Sequence, residues 1–164
     1  MKLKRPPLFV AAFLFRNHNV MESFESLYKK LMRYCAYQER AESEVRLKLR
    51  LLEAPADVRE AVLEKLRGEN FVNEERFARA YVRGKFRMNG WGRLKIRNGL
   101  RAKGVDEKLI SRALSEEIDE KQYREAMHKV VAEKGLKTAF SRGFEVNRNF
   151  ENSISSPCSS EEEE

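Results

Sequence analysis

From position 24 onward, apolar residues recur at steps of three and four: Phe24, Leu27, Tyr28, Leu31, Tyr34 and Cys35. That spacing gathers them on one face of a helix. A second helix opens near Glu42 and buries Val45, Leu49 and Leu52. A third follows Pro55, whose fixed φ and missing N–H suit a first turn, and buries Val58, Val62 and Leu66 before Gly68 stops it. The series then restarts. Asn73 is a good N-cap, and Glu74 and Glu75 behind it favour the positive end of a helix dipole. Phe77, Tyr81 and Gly84 share the face expected to point inward. After Asn89-Gly90, a helix beginning at Trp91 or Gly92 buries Ile96 and Leu100 and ends at Gly104. Asp106 opens a short helix through Leu109, Ile110, Ala113 and Leu114. No stretch alternates with period two for long enough to make a strand, so the pattern predicts an all-α chain.

The two helix triads superimpose. Leu27 and Leu31 correspond to Phe77 and Tyr81, Val45 and Leu49 to Ile96 and Leu100, and Val62 and Leu66 to Ile110 and Leu114. Tyr123, Met127, Val130 and Val131 begin a third copy, in which Gly135–Phe144 supplies a stunted second helix and residues 145–160 lack the spacing of a third. Units this small bury little alone, so neighbours are expected to stack and share a core. The resulting expectation is tandem three-helix repeats in an elongated, curved array of either hand, with two full repeats and a degenerate third. The boundaries follow: repeat 1 over 22–68, repeat 2 over 69–118, and a partial repeat 3 over 119–150. Residues 1–21 read as a non-domain extension, disordered or translated from an upstream start, with Met21 standing directly before the first helix. Residues 151–164, Ser-rich and ending in four glutamates, read as a disordered acidic tail.

Charge adds a location to this outline. The chain carries 33 Lys and Arg against 26 Asp and Glu, a formal net of +7. Most of the excess falls in residues 69–118, which hold twelve basic and seven acidic residues. From Arg76 to Lys103 there are ten basic residues and no acidic one. A solvated helix face normally interleaves both signs, because opposite charges four apart help the helix. This stretch forgoes that help, and the reading is a surface for an acidic partner such as nucleic acid or an acidic protein.

Candidate chemistry is sparse. Two cysteines far apart, Cys35 and Cys158, exclude a disulfide-rich scaffold and a cysteine-based zinc cluster, and they favour a reducing, cytoplasmic setting. Cys35 falls on the apolar face of the first helix and reads as core. The histidines are His18 in the extension and His128 on a helix beside Met127; the lone helical His128 reads as structural or solvated, with no ligand partner four residues away. Gly90-Trp91-Gly92 lacks both the lysine pattern of a phosphate loop and a preceding strand. Glu39, Glu42 and Glu44 read as capping and solvated-face residues. Lys2, Lys4 and Arg5 precede the apolar run Leu8–Phe15, yet no A-x-A-like cleavage site follows, so no secretory signal is read. No catalytic residue, metal site or cofactor is expected, and no membrane span.

Asn70-Phe71-Val72-Asn73-Glu74-Glu75-Arg76-Phe77-Ala78-Arg79-Ala80-Tyr81 resembles the start of the second repeat in the RecX family, bacterial regulators of the RecA recombinase. Gly90-Trp91-Gly92, Lys95-Ile96, Leu100 and Lys103-Gly104-Val105 are similar to the family's next helix. Tyr34–Arg40, Glu44-Val45 and Lys48-Leu49 look like its Bacteroidetes branch, and Ser141–Glu145 is a fainter echo. The resemblance covers about residues 24–134; the shortened C-terminal repeat departs from it. It implies three tandem three-helix repeats, a non-catalytic protein, and inhibition of RecA by binding along the groove of its nucleoprotein filament, in DNA repair and the SOS response. Several members also contact DNA.

The residues expected to carry binding are Arg76, Arg79, Arg83, Lys85, Arg87, Trp91, Arg93, Lys95, Arg97, Arg101 and Lys103. Arg79, Arg83 and Arg87 form one outward row at four-residue steps, and Arg93, Arg97 and Arg101 form another. Guanidinium rows suit carboxylates or phosphates, which they grip bidentately. Trp91 has two readings: a cap on the core at the helix junction, or a ring that stacks on a base or a partner arginine. The partner expected is the RecA nucleoprotein filament, bound by a monomer. The alternative is a sequence-indifferent DNA-binding helical module with no RecA target.

Overall fold

The computed structural model describes residues 24–145. Among these residues eight helices follow one another: α1 over 24–37, α2 Glu42–Leu51, α3 Ala56–Gly68, α4 Glu74–Arg87, α5 Arg93–Ala102, α6 Glu107–Glu117, α7 Glu120–Lys134 and α8 Leu136–Ser141. Among the described residues there is no strand. The expected extension and acidic tail lie outside the described residues.

Helix starts follow local chemistry. The Asn73 side chain accepts from the Arg76 N–H at 2.9 Å, opening α4, and Asp106 accepts from the Lys108 N–H at 2.8 Å, opening α6. Asp119 takes the N–H groups of Lys121 and Gln122 at 3.0 and 3.2 Å and starts α7. Each carboxylate or amide satisfies a donor the first turn leaves orphaned. At α2 the Glu44 carboxylate reaches back to the Ala41 N–H at 3.1 Å, one half of a capping box.

The helices close two separate cores. In the first, Leu27 and Leu31 of α1, Val45 and Leu49 of α2, and Val58, Val62, Leu63 and Leu66 of α3 are buried together. Tyr28 donates its hydroxyl to Glu69 and pins α1 to the end of α3. In the second, Val82 and Phe86, Ile96 and Leu100, and Ile110 and Leu114 bring α4, α5 and α6 together. Ile118 carries this core into α7 and α8, where Tyr123, Met127, Ala139 and Phe144 complete it. The Tyr123 ring lies 6.4 Å from Phe86 and 5.4 Å from Phe144, centroid to centroid. Each fully buried aliphatic or aromatic side chain here contributes about 1.5–3 kcal/mol. The stunted second helix expected over Gly135–Phe144 is present as α8.

Two expectations need correction. A shared core joins the second unit to the third but not the first to the second. The positions of α2 that reach across are Ser43 and Glu44 rather than aliphatics. Ser43 donates to the Lys103 carbonyl at 2.6 Å, Glu44 pairs with the Lys103 ammonium at 2.6 Å, and Glu39 pairs with Arg76 at 2.5 Å. Ala41 is the one buried residue of the first unit that belongs to the second core. The second correction concerns α4. Its inward row is Phe77, Ala78, Val82 and Phe86, whereas Tyr81 and Gly84 are only partly buried. Tyr81 and Gly84 belong with Ala80 and Met88 to an adjoining face, so α4 has more apolar circumference than its core contact uses.

Candidate functional site

The acid-free stretch from Arg76 to Lys103 is not acid-free in three dimensions. Arg83 holds Glu117 of α6 bidentately at 2.9 and 3.0 Å. Arg79 contacts Glu75 and Glu116, both at 2.8 Å. Arg101 and Arg97 share Glu107 at 2.7 and 3.4 Å. Arg93 takes Glu120 at 2.9 Å and lies 4.2 Å over the Tyr123 ring. With Arg76 on Glu39 and Lys103 on Glu44, seven of the ten basic residues have a carboxylate partner. The counter-charges come from α2, α6, α7 and their flanks, which a reading confined to one stretch does not see. Arg83 holds the Glu117 carboxyl below its ordinary range, and Arg101 does the same for Glu107. Five of the six guanidinium groups in the two rows are therefore paired with carboxylates, Arg87 being the exception, and they brace α4 and α5 against α6 and α7. Arg83 and Arg101 still have more than half of their side chains exposed, so each pair is a surface pair.

Lys85, Arg87 and Lys95 are the three with no carboxylate within salt-bridge reach among the described residues. Arg87 points to solvent in the last turn of α4. The two ammonium groups lie over Trp91 instead, Lys85 at 4.8 Å and Lys95 at 4.7 Å from the ring. Lys85 also stands 5.4 Å from the Tyr81 ring, and Lys103 stands 5.9 Å from that ring and 6.0 Å from Phe77. Cations and aromatic rings thus alternate in a file: Lys103, Tyr81, Lys85, Trp91, Lys95. Attraction between each ammonium and the ring face is worth about 0.5–1 kcal/mol at exposed sites. It orders Lys85 and Lys95 while leaving their charge unneutralised, whereas Lys103 is also paired with Glu44.

Local sequence explains how the file is held. Tyr81 packs over Gly99 of α5, where a Cβ would come within 2.4 Å of the tyrosine hydroxyl. Burial pushes that phenol above its ordinary pKa. Trp91 combines parts of both its expected readings: it packs against the second core, and its partly exposed ring carries the two lysines. The Trp91 backbone N–H donates to the Lys85 carbonyl at 3.0 Å and ties the loop to the end of α4. Gly92 is buried where the chain from α8 crosses the start of α5. Its N–H donates to the Arg142 carbonyl at 2.7 Å, and the Leu94 N–H donates to the Gly143 carbonyl at 3.2 Å. A Cβ at Gly92 would lie 2.2 Å from that Gly143 oxygen. Gly92 serves this backbone crossing.

Beside the file runs a cleft of about 390 Å³ between the end of α1 and α4, with Phe77, Ala80, Tyr81, Gly84 and Met88 along its α4 wall. Sequence reasoning missed Tyr81 and Met88 as surface residues. Two signals could have found them: a second apolar row offset from the first on α4, and a tyrosine and tryptophan spaced among lysines. Cys35 is buried in the first core, as expected, and burial pushes its thiol up to about 11. No cluster of metal-ligating side chains occurs among the described residues, and no described helix is long and apolar enough to cross a membrane.

Comparison with known proteins accounts for the repeated architecture. Residues 28–66 match the first three-helix domain of RecX, and residues 73–114 match its second three-helix domain. The regulatory protein RecX of Geobacillus kaustophilus (strain HTA426) is 37% identical over 95 residues, which are 58% of this chain and 35% of that protein. The regulatory protein RecX of Clostridium acetobutylicum is 38% identical over 96 residues, 58% of this chain and 44% of that protein. The chain thus spans less than half the length of these relatives. A crystal structure of a regulatory protein RecX superimposes with a TM-score of 0.66 at 27% identity, covering 94% of this chain and 71% of that one. RecX from Lactobacillus salivarius does so with a TM-score of 0.63 at 27% identity, covering 82% and 84%. Two matched domains in the family's order, on a matching all-helical fold, lead to one conclusion: this chain belongs to the RecX family.

Proposed function

We propose that the protein is a non-catalytic regulator that binds the RecA–DNA filament in the cytoplasm and inhibits RecA activity in recombination, DNA repair and the SOS response. The observation that carries this reading is the file of Lys85, Trp91 and Lys95, extended by Tyr81 and Lys103 and joined by the solvent-facing Arg87. A filament of protein on nucleic acid offers phosphates and carboxylates together, and unneutralised cations beside aromatic faces suit both. The arginines act one step back. Arg76, Arg79, Arg83, Arg93, Arg97 and Arg101 keep α4 and α5 in place through their glutamates, and their exposed edges add to the positive field. Family membership supports the regulatory role, since the matched relatives are named regulatory proteins. Binding by a monomer requires no second copy to complete the file.

The test is filament-dependent ATP hydrolysis. Adding the protein to RecA, single-stranded DNA and ATP lowers the rate; an unchanged rate at several-fold molar excess overturns the proposal. One observation favours the second reading, a DNA-binding module without a RecA target. Alternation of rings with ammonium groups is how single-stranded nucleic acid is held without base readout. That reading requires tight binding to naked DNA, with a salt slope near −0.7 per phosphate contacted on single strands.

A further inference from the structure

We infer that the second apolar face of α4 is a docking groove for an amphipathic helix of the protein partner, one carrying large apolar side chains and a carboxylate. The inference rests on the reading that the partner is a protein filament, and it names how that filament is gripped. Phe77, Tyr81, Gly84 and Met88, with Ala80 beside them, follow one another at the three- and four-residue steps of one helix face. Phe77 roots this face in the buried row it shares with Ala78, Val82 and Phe86, and Tyr81, Gly84 and Met88 carry the face outward from there. A groove spanning twelve positions runs about 18 Å at 1.5 Å per residue, the length of three turns of a facing helix. Its middle is small: Ala80 and Gly84 stand four apart, and a Cβ at Gly84 would meet nothing within 4 Å. Small residues there let a facing helix approach closely, while Tyr81 and Met88 form apolar walls. Met88 is 88% exposed, a large apolar side chain left open by the described residues.

Charge sets the polarity of the occupant. Glu39, the one acidic residue along the cleft, is neutralised by Arg76 at 2.5 Å. Lys85 on the opposite side has no carboxylate within salt-bridge reach among the described residues. A helix lying here meets apolar surface along its length and an uncompensated ammonium at its edge. It therefore brings apolar anchors at helical spacing and an Asp or Glu beside them. A bare nucleic-acid strand lacks the aliphatic anchors that would fill the space between Ala80 and Met88.

A Cβ at residue 84 meets nothing within 4 Å and residue 84 has no left-handed φ to forbid a side chain, so Gly84→Leu places its side chain in the groove. The variant keeps the thermal midpoint of the wild type. Co-sedimentation with preformed RecA filaments on single-stranded DNA is expected to weaken at least tenfold, with Gly84→Ala intermediate. Binding to naked single-stranded DNA at matched salt is expected to change less than twofold. Undiminished sedimentation of Gly84→Leu overturns the inference and leaves the proposed function standing. Parallel loss on filaments and on naked DNA makes the groove a nucleic-acid site and also overturns it. Failure of the wild type to sediment with filaments overturns both. Met88→Ala, which removes one wall, weakens sedimentation in the same direction and checks the result if Gly84→Leu folds poorly.

Discussion

Gly92→Ala perturbs the point where the last part of the described chain meets the first turn of α5. The added Cβ would lie 2.2 Å from the Gly143 oxygen and 2.4 Å from the Phe144 nitrogen. Both are backbone atoms, so no flexible side chain can swing aside. Ordinary contact requires about 3.4 Å or more, and the crossing strand must retreat by roughly 1.2 Å. That displacement stretches the bonds from the Gly92 N–H to Arg142 and from the Leu94 N–H to Gly143 beyond useful length. Each is worth about 1 kcal/mol net. It also pulls on Phe144, which is 1% exposed and whose burial contributes about 1.5–3 kcal/mol. The expected loss is about 3–5 kcal/mol, read as the shift of the urea midpoint at constant slope. Hydrogen exchange should show the loss confined to α7, α8 and the start of α5, with α1–α3 protected as in the wild type, because the first core makes no contribution to this crossing. A midpoint unchanged within about 0.5 kcal/mol would refute the reasoning, as would uniform deprotection of both units.

Acid offers a second test. Glu42 is held below the ordinary carboxylate range by Arg67 and Arg46, and Glu117 by Arg83. A carboxylate with a depressed folded-state pKa contributes stability that is fully present above its unfolded value, about 4.3, and is lost as pH falls through the folded value. Stability is therefore expected to be flat from pH 7 to 5 and to decline below about pH 4. Arg83→Gln should shrink that decline, and an acid denaturation series compares the two. Cys35 gives a third prediction: with its thiol pushed up to about 11 inside the first core, it should resist thiol reagents at pH 8 in the native protein and react at once in urea. Rapid native-state labelling at residue 35 would contradict the buried placement.

Much of the fold was legible because helical spacing of large aliphatics leaves little choice. Val45 with Leu49, Val62 with Leu66, Ile96 with Leu100 and Ile110 with Leu114 are all buried where the pattern put them. The N-caps at Asn73 and Asp106 were equally readable, since few other residues can accept the orphan donors. Reading failed where small residues or distant charges decided. On α4, Ala78 carries little apolar weight, so the pattern placed Tyr81 and Gly84 beside Phe77 on the inward face instead of Ala78, Val82 and Phe86. A twist of one residue around the helix moved a tyrosine from core to cleft. The acid-free stretch misled for a different reason. Sequence distance hid Glu107, Glu116, Glu117 and Glu120, which the fold lays across Arg101, Arg79, Arg83 and Arg93. The unpaired cations then turned out to be two lysines over an indole and one solvent-facing arginine, not two arginine rows.

The central claim is that partner binding runs through the unpaired cations around Trp91 and not through the glutamate-held arginines. Co-sedimentation with preformed RecA filaments on single-stranded DNA tests it most directly, comparing Lys85→Ala/Lys95→Ala with Arg97→Ala/Arg101→Ala at one salt concentration. Both pairs remove two positive charges, so a response to net charge alone affects them equally. The account predicts a loss of tenfold or more for the lysine pair and less than threefold for the arginine pair. Equal losses, or a larger loss for the arginines, would contradict it.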